Sequence, residues 1–353
     1  MPSSGDQHDG GTPYLLNCWY AAAWGDELAA GPVARKLLDR PVALFRDAAG
    51  AAHAIGGRCP HRFAPLGEGI VTEDGTLQCP YHGLRFDGSG RCVHNPHQPE
   101  HVPDVAVPTW PVVERHGLVW IWFGDPARAE PEQVPDFGFM DEPRWEIIKG
   151  VIHGSGNYQL YTDNILDLTH AEYVHTGLSA PAFIIGKREY SLDGDTVWCH
   201  IEHPNDYVSD VIAATFDVAG KKKDFWTEVR WTPPANMLLV PSVDDPGGSL
   251  ETARSAPSLH LMTPETDNAT HYFWAVGRET RLDDPAFTEA MRAGFLHAFE
   301  NEDKPMIARQ AAMMEGRDFW DLKPLVLVSD KGAVMARRRL ARLLQAERDA
   351  GHG

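Results

Sequence analysis

Short runs in which apolar and polar residues alternate dominate the first third of the chain. From Val33 to Gly57, segments such as Pro41-Val-Ala-Leu-Phe-Arg46 lie between Gly and Asp turns, a period-two pattern that predicts half-buried β-strands. The same texture reaches Val112-Val-Glu-Arg-His-Gly-Leu-Val-Trp-Ile-Trp-Phe123, read as a strand that closes an all-β module over residues 12–125. Pro126 to Pro135 then reads as a linker. Beyond it the period changes. Tyr158 to Gly177 has helical spacing, while Val197 to Pro241 and His260 to Arg278 return to alternation. From Pro285 to Glu315, Phe287, Met291, Phe295, Phe299, Met306 and Met313 trace a long helix that Pro305 should start, kink or interrupt. A last amphipathic helix is expected from about Lys331 to Arg348. The second module, 136–353, is therefore α+β, and so is the chain as a whole; no internal repeat is visible.

Composition narrows the function classes. A chain of 353 residues with 43% hydrophobic and 23% charged content can bury a sizeable core in two or three modules. Its net charge of −18 repels phosphate backbones, which argues against a nucleic-acid partner. The one dense basic stretch, Arg337, Arg338, Arg339 and Arg342, reads as a solvated helix face. No apolar run is long enough to cross a membrane and the first residues lack a secretory pattern, so a cytoplasmic protein without a membrane partner is expected. Five scattered cysteines are too few for a disulfide framework. Of these, Cys18, Cys92 and Cys199 read as small buried residues.

Cys59 and His61, and again Cys79 and His82, pair a thiolate with an imidazole within one short loop, and 17 residues, 62 through 78, separate the pairs. Converging loops of this kind hold a [2Fe–2S] cluster with both cysteines on one iron and both histidines on the other. Neutral imidazoles raise the cluster potential to roughly −150 to +300 mV, against about −400 mV for all-thiolate ferredoxins. The same donors also suit a structural zinc ion.

A second set begins at Asp163-Asn164-Ile-Leu-Asp167-Leu-Thr-His170-Ala-Glu-Tyr-Val-His175. Asn164, Asp167 and His170 share a helical face, whereas His175 lies five residues past His170 and needs a bend or helix end to reach the same ion. Two histidines and a carboxylate make the facial triad of Fe(II) oxygenases, which leaves positions open for dioxygen. Asp163 and Glu172 are nearby carboxylates, and Phe299-Glu-Asn-Glu-Asp303 is the more persuasive distant source. Asp167 is a candidate to receive the second ring N–H of a ligand histidine, with a plain helix-surface aspartate as the alternative.

These motifs resemble the oxygenase (α) component of Rieske non-haem iron oxygenases. Arg62 follows the first pair, Gly83-Leu-x-Phe86 follows the second, and Asn164-x-x-Asp167-x-x-His170-x4-His175 precedes the Glu302-Asp303 pair. The resemblance runs from Asn17-Cys-Trp-Tyr-Ala to the C-terminal helix. It is nearest to the vanillate O-demethylase and dicamba O-demethylase group, through Asp167 to His175, Met262-Thr-Pro-Glu-Thr-Asp267 and His271-Tyr-Phe-Trp274. The Met262–Asp267 tract reads as a turn between strands.

The resemblance implies a Rieske [2Fe–2S] domain and then a helix-grip (START-like) catalytic domain with an antiparallel sheet and C-terminal helices. It places Fe(II) on His170, His175 and Asp303, and not on Glu302 or Glu300. Asp167 would join His170 to His82 of an adjacent chain in a head-to-tail homotrimer, and Asn164 would line the iron site. His260 resembles a histidine that orients the carboxylate of an aromatic substrate, but Leu239 and Gly294 stand where the dicamba group carries asparagine and tryptophan, so a differently shaped pocket is expected. The implied activity is O2- and NAD(P)H-dependent O-demethylation of a methoxylated aromatic acid with release of formaldehyde. Hydroxylation of a ring, methyl or N-methyl group is the alternative. Because His153-Gly-Ser-Gly156 is no full dinucleotide fingerprint, electrons are expected from a separate flavin and ferredoxin-type reductase. A plain electron carrier needs only the first set of ligands, and a zinc module would be colourless.

Overall fold

The alternating segments of the N-terminal third pair into small antiparallel sheets. Their strands are β1 (Trp19–Trp24), β2 (Val33–Leu37), β3 (Arg40–Arg46), β4 (Ala52–Gly56), β5 (Ile70–Val71), β6 (Leu77–Gln78), β7 (Arg85–Phe86), β8 (Cys92–His94), β9 (Thr109–Trp110), β10 (Val112–Arg115) and β11 (Leu118–Trp122). The computed structural model, which describes residues 13–175 and 182–351, arranges them in the orders β1-β11-β10, β2-β3-β4-β9 and β5-β6-β7-β8. The Val112–Phe123 stretch is a hairpin, not the single strand expected. His116 (φ 58°) and Gly117 (φ 72°) make a two-residue turn with both φ positive, and the His116 ring is fixed by donating to Asp141 Oδ2 at 2.6 Å and accepting from Phe137 N at 3.1 Å.

Strands β1 and β11 are buried along their whole length because they are covered on both faces. On one side Trp19, Trp24, Trp120 and Trp122 pack against Leu259, Leu261, Phe273 and Ala275 of the second sheet. On the other, Tyr20, Val119 and Ile121 join the main core. The intervening proline-rich stretch is not a loose tether: it forms two short 3-10 turns, Pro126–Arg128 and Pro131–Gln133, and buries Val134 and Phe137.

The second part comprises β12 (Glu146–Ser155), α1 (Tyr158–Leu166), α2 (Ala171–Val174), α3 (Ala182–Ile185), β13 (Lys187–Asp193), β14 (Thr196–Tyr207), α4 (Asp210–Phe216), β15 (Lys222–Thr232), β16 (Asn236–Asp244), β17 (Arg254–Ser255), β18 (Ser258–Thr266), β19 (Ala269–Arg278), α5 (Pro285–Leu296), α6 (Lys304–Met314) and α7 (Lys331–Gly351). Its antiparallel sheet runs β12-β19-β18-β16-β15-β14-β13, with β17 added to β16. Helices α1, α6 and α7 bury Tyr158, Ile165, Ile307 and Leu340 against Val197, Val229, Trp231 and Trp274 of the sheet. The α+β class, with sheets first and a helix-covered antiparallel sheet after, agrees with the sequence pattern. Among the described residues no helix is long and apolar enough to cross a membrane.

Three local readings are corrected. Helix α4 interrupts the alternation after β14; with seven residues it is too short to show a helical period, and it is capped by Ser209. Met262–Thr266 belongs to β18, whose Pro264 and Glu265 carbonyls accept from Leu38 N and Asp39 N, both at 2.9 Å; the turn is Asp267-Asn268. The basic run of α7 is not wholly solvated: Arg337, 8% exposed, donates from Nε and Nη2 to the Asp163 carboxylate of α1 at 2.7–3.0 Å, and Arg339 pairs with Asp195.

Candidate active site

The two Cys-His loops fold alike. Cys59 N donates to Ala64 O (2.9 Å) while Cys59 O accepts from Phe63 N (2.9 Å); in the second loop Cys79 N donates to Leu84 O (2.8 Å) and Cys79 O accepts from Gly83 N (3.2 Å). Each loop therefore needs a left-handed residue four places past its cysteine, supplied by Phe63 at φ 59° and Gly83 at φ 72°. Cys59 and Cys79 are buried at the loop bases, and the His61 and His82 rings meet edge to face with centroids 4.5 Å apart. Burial, reinforced by the neighbouring Cys79, pushes the Cys59 thiol up to about 11, while the His61 and Arg62 amides pull the other way. Burial and then the nearby His61 and His97 hold His82 below the ordinary imidazole range, and its Nδ1 is buried without a hydrogen-bond partner. An orphaned ring nitrogen, a second imidazole in edge contact with its ring and two buried thiols fit a metal group that the two loops would hold together.

The second set is assembled by a helix break. Asp167 leaves helical geometry (φ −120°, ψ 91°) and ends α1; its Oδ1 accepts from Thr169 N (3.0 Å) and Thr169 Oγ1 (2.7 Å), capping the 3-10 turn Leu168–His170. Helix α2 then ends at Val174, so His175 is delivered in extended conformation. This is the bend that the five-residue spacing requires. The third group arrives from the wide π turn His297–Asp303 between α5 and α6, just before Pro305 at the start of α6.

Asp303 Oδ1 lies 3.5 Å from His170 Nε2 and 3.2 Å from His175 Nε2, and one donor atom from each residue falls within 4.8 Å of the others. Asn164 Nδ2 donates to Asp303 Oδ1 at 3.1 Å. The opposite ring nitrogens are tied back: His170 Nδ1 donates to the Asp167 carbonyl (2.6 Å) and His175 Nδ1 to Glu302 Oε2 (2.8 Å). Both Nε2 atoms are thereby presented to one point. Thus Asp167 holds His170 through its backbone, not its carboxylate, and Glu302, set aside as a ligand, orients His175. Nothing in the sequence separates that role from the adjacent Asp303. Asp163 is committed to Arg337 and Glu172 is exposed, so neither joins the group.

Burial lowers the His170 pKa, favouring the neutral ligand form; at His175 burial works the same way but Asp303 and Glu302 outweigh it and raise the pKa. Exchanging Glu302 for alanine should loosen the orientation of His175 and weaken metal retention about 10–100-fold, as read by competition with a chelator. His153, Glu265 and His271 form another close trio, but His271 Nε2 already donates to Lys36 O at 3.0 Å.

A cavity of about 130 Å³ opens beside the triad, walled by Leu168, Phe183, Val211, Leu239, Phe295 and Phe299. His260 also lines it, yet both its nitrogens are spent within the protein. Ser258 Oγ donates to Leu239 O (3.1 Å), so His260 Nε2–H donates to Ser258 Oγ (2.9 Å), and Tyr272 Oη–H donates to His260 Nδ1 (2.6 Å). Burial pushes its pKa down to about 3. An adjoining cavity of about 380 Å³ is bordered by Phe287, Met291 and Gly294, and a side chain at Gly294 would meet nothing within 4 Å.

Comparison with known proteins agrees with this geometry. Residues 18–111 match the Rieske [2Fe-2S] domain family, and residues 155–346 match the Vanillate O-demethylase oxygenase C-terminal domain family. The chain belongs to the Rieske-type oxygenase components. This oxygenase component is 40% identical to the oxygenase component of chloroacetanilide N-alkylformylase from Rhizorhabdus wittichii, over 95% of this chain and 97% of that one. It is 38% identical to the dicamba O-demethylase oxygenase component of Stenotrophomonas maltophilia, over 95% and 99%. The crystal structure of dicamba monooxygenase with non-heme iron and dicamba superposes with a TM-score of 0.83 at 36% identity, covering 96% of this chain and 99% of that one. A Rieske oxygenase component is an oxidoreductase, which removes the zinc module and the plain electron carrier as readings of the first ligand set.

Proposed function

We propose that this oxygenase component removes an O-methyl or related alkyl group from an aromatic substrate, using O2 and electrons from NAD(P)H, and releases the carbon as formaldehyde. The reading rests on one juxtaposition: two histidines and an aspartate converge at the wall of an apolar, phenylalanine-lined cavity. Cys59, Cys79, His61 and His82 would hold the [2Fe–2S] cluster, and His170, His175 and Asp303 would hold Fe(II). Together these groups supply one-electron storage and O2 activation for oxidising a C–H bond.

The chain's own residues prepare the site. Glu302 and the Asp167 carbonyl keep both Nε2 atoms aimed inward, Asn164 steadies Asp303, and the phenylalanine walls exclude water. A methoxy carbon hydroxylated there collapses from a hemiacetal to formaldehyde and a phenol; O2, two electrons and two protons balance the step, with water as the other product. The relatives' names support this reading, since one is an O-demethylase and another an N-alkylformylase.

Electrons would come from a separate flavin and ferredoxin-type reductase, received at a surface that carries His61, Phe63 (75% exposed) and Tyr81 (63% exposed). The same exposed tip suits the homotrimer in which Asp167, joined to His170 through its backbone carbonyl, lies between that histidine and the neighbouring chain's cluster. With a reductase supplied, NADH-dependent turnover should yield formaldehyde in proportion to O2 consumed. Diols or ring-hydroxylated products without formaldehyde would favour the hydroxylase reading instead.

A further inference from the structure

The cavity beside the triad has no charge to offer an anion. Among the described residues no Lys or Arg lines it or the adjoining cavity, and residues 176–181, Thr-Gly-Leu-Ser-Ala-Pro, contain none. His260 has no proton to spare: its one N–H goes to Ser258 Oγ and its other nitrogen is occupied by Tyr272. His297, at the outer cavity, lies 3.6 Å from Glu302 Oε1 and is already matched by that carboxylate. Asp303 would take up part of the charge of a divalent ion held by the triad, and Glu302 is shared between His175 and His297. Among the described residues that line the cavities, no unpaired cationic side chain therefore remains to offset a carboxylate on the substrate.

Among the described residues that line the cavity, one buried side-chain polar atom has no hydrogen-bond partner. Thr227 sits on β15 between Phe225 and Val229, in the row of alternate residues that faces the helices; it is 1% exposed, lines the 130 Å³ cavity, and its Oγ1 has no hydrogen-bond partner. A buried hydroxyl is normally satisfied, and this one has the cavity beside it. We infer that the oxygenase selects an uncharged aromatic substrate, and that the Thr227 hydroxyl is the specificity-determining group, donating a hydrogen bond to a carbonyl-type oxygen such as that of an amide or ester. This deepens the dealkylase reading and rests on it, in that the cavity is taken as the substrate chamber. It replaces the aromatic acid expected from sequence, for which His260 was to orient the carboxylate.

A matched pair of probes tests the inference on the iron-replete full chain under anaerobic conditions. Calorimetric titration at neutral pH should show 2-methoxybenzamide binding at least about ten-fold more tightly than 2-methoxybenzoate, because the ionised carboxylate would be buried without a partner. Thr227→Val, which keeps the shape and removes the hydroxyl, should weaken the amide about ten-fold; anisole, which lacks the carbonyl, should change less than about two-fold, and Thr227→Ser should restore most of the amide affinity. Equal or tighter binding of the benzoate, no binding of the amide, or an amide affinity unmoved by Thr227→Val would overturn the inference. The dealkylase reading has its own readout: formaldehyde from the bound amide. Selective amide binding with only ring-hydroxylated product sinks that reading alone, and equal formaldehyde from both probes sinks the charge selection alone.

Discussion

Replacing Asp303 by alanine should give a protein that keeps its red-brown cluster but loses the mononuclear iron, about one iron in three, together with O2-dependent turnover, by a factor on the order of 10³ or more. The expectation follows from position. Among the described residues Asp303 Oδ1 is the one carboxylate oxygen within 3.2–3.5 Å of both histidine Nε2 atoms, and Glu302, though adjacent in sequence, faces the other side of the His175 ring. Removing Asp303 leaves two neutral imidazoles, too few donors to retain Fe(II) against water. The cluster loops lie in a different sheet system and should be untouched. Iron analysis alongside the visible spectrum separates the outcomes: three irons and full activity in the variant would remove Asp303 from the site.

Changing Asp167 to asparagine is the second large effect. Asparagine caps a helical turn as well as aspartate does, so the Thr169 contacts and the His170 hydrogen bond to the backbone carbonyl should persist, and the melting temperature should stay near the wild-type value. What disappears is the carboxylate charge proposed to face the cluster of an adjacent subunit, on the residue whose backbone carbonyl holds His170. Both metals should remain bound while kcat falls about 10–100-fold. The decisive measurement is the rate at which a pre-reduced cluster is reoxidised when O2 and substrate are added. A structural cap alone would not change it, so a wild-type rate would reject the inter-subunit connection.

Legibility followed the length scale of each feature. The Cys59/His61 and Cys79/His82 pairs stand out because each loop is only six residues long and must carry both donors and a left-handed residue. The helix break between His170 and His175 was also readable, since five residues do not bring two imidazoles to one point on an ideal helix. By contrast, the Val112–Phe123 hairpin was missed because its turn pairs an ordinary-looking His116 with Gly117, and α4 because seven residues cannot display a period. The basic run on α7 looked solvated because Asp163, its counter-charge, lies 174 residues away.

What the sequence determined by itself was the chemistry of the donors: two thiols and two imidazoles in matching loops, and two histidines with a carboxylate to be found elsewhere. These are local because a metal centre draws on residue types that few other roles demand at such spacing. The family resemblance already named Asp303 as the third ligand; the tertiary structure alone decided that Glu302 steers His175 from 127 residues away, and that His260 is spent on Ser258 and Tyr272 while Thr227 is not. Whether a buried polar atom is satisfied depends on every strand and helix that packs around it, and no one-dimensional pattern carries that count.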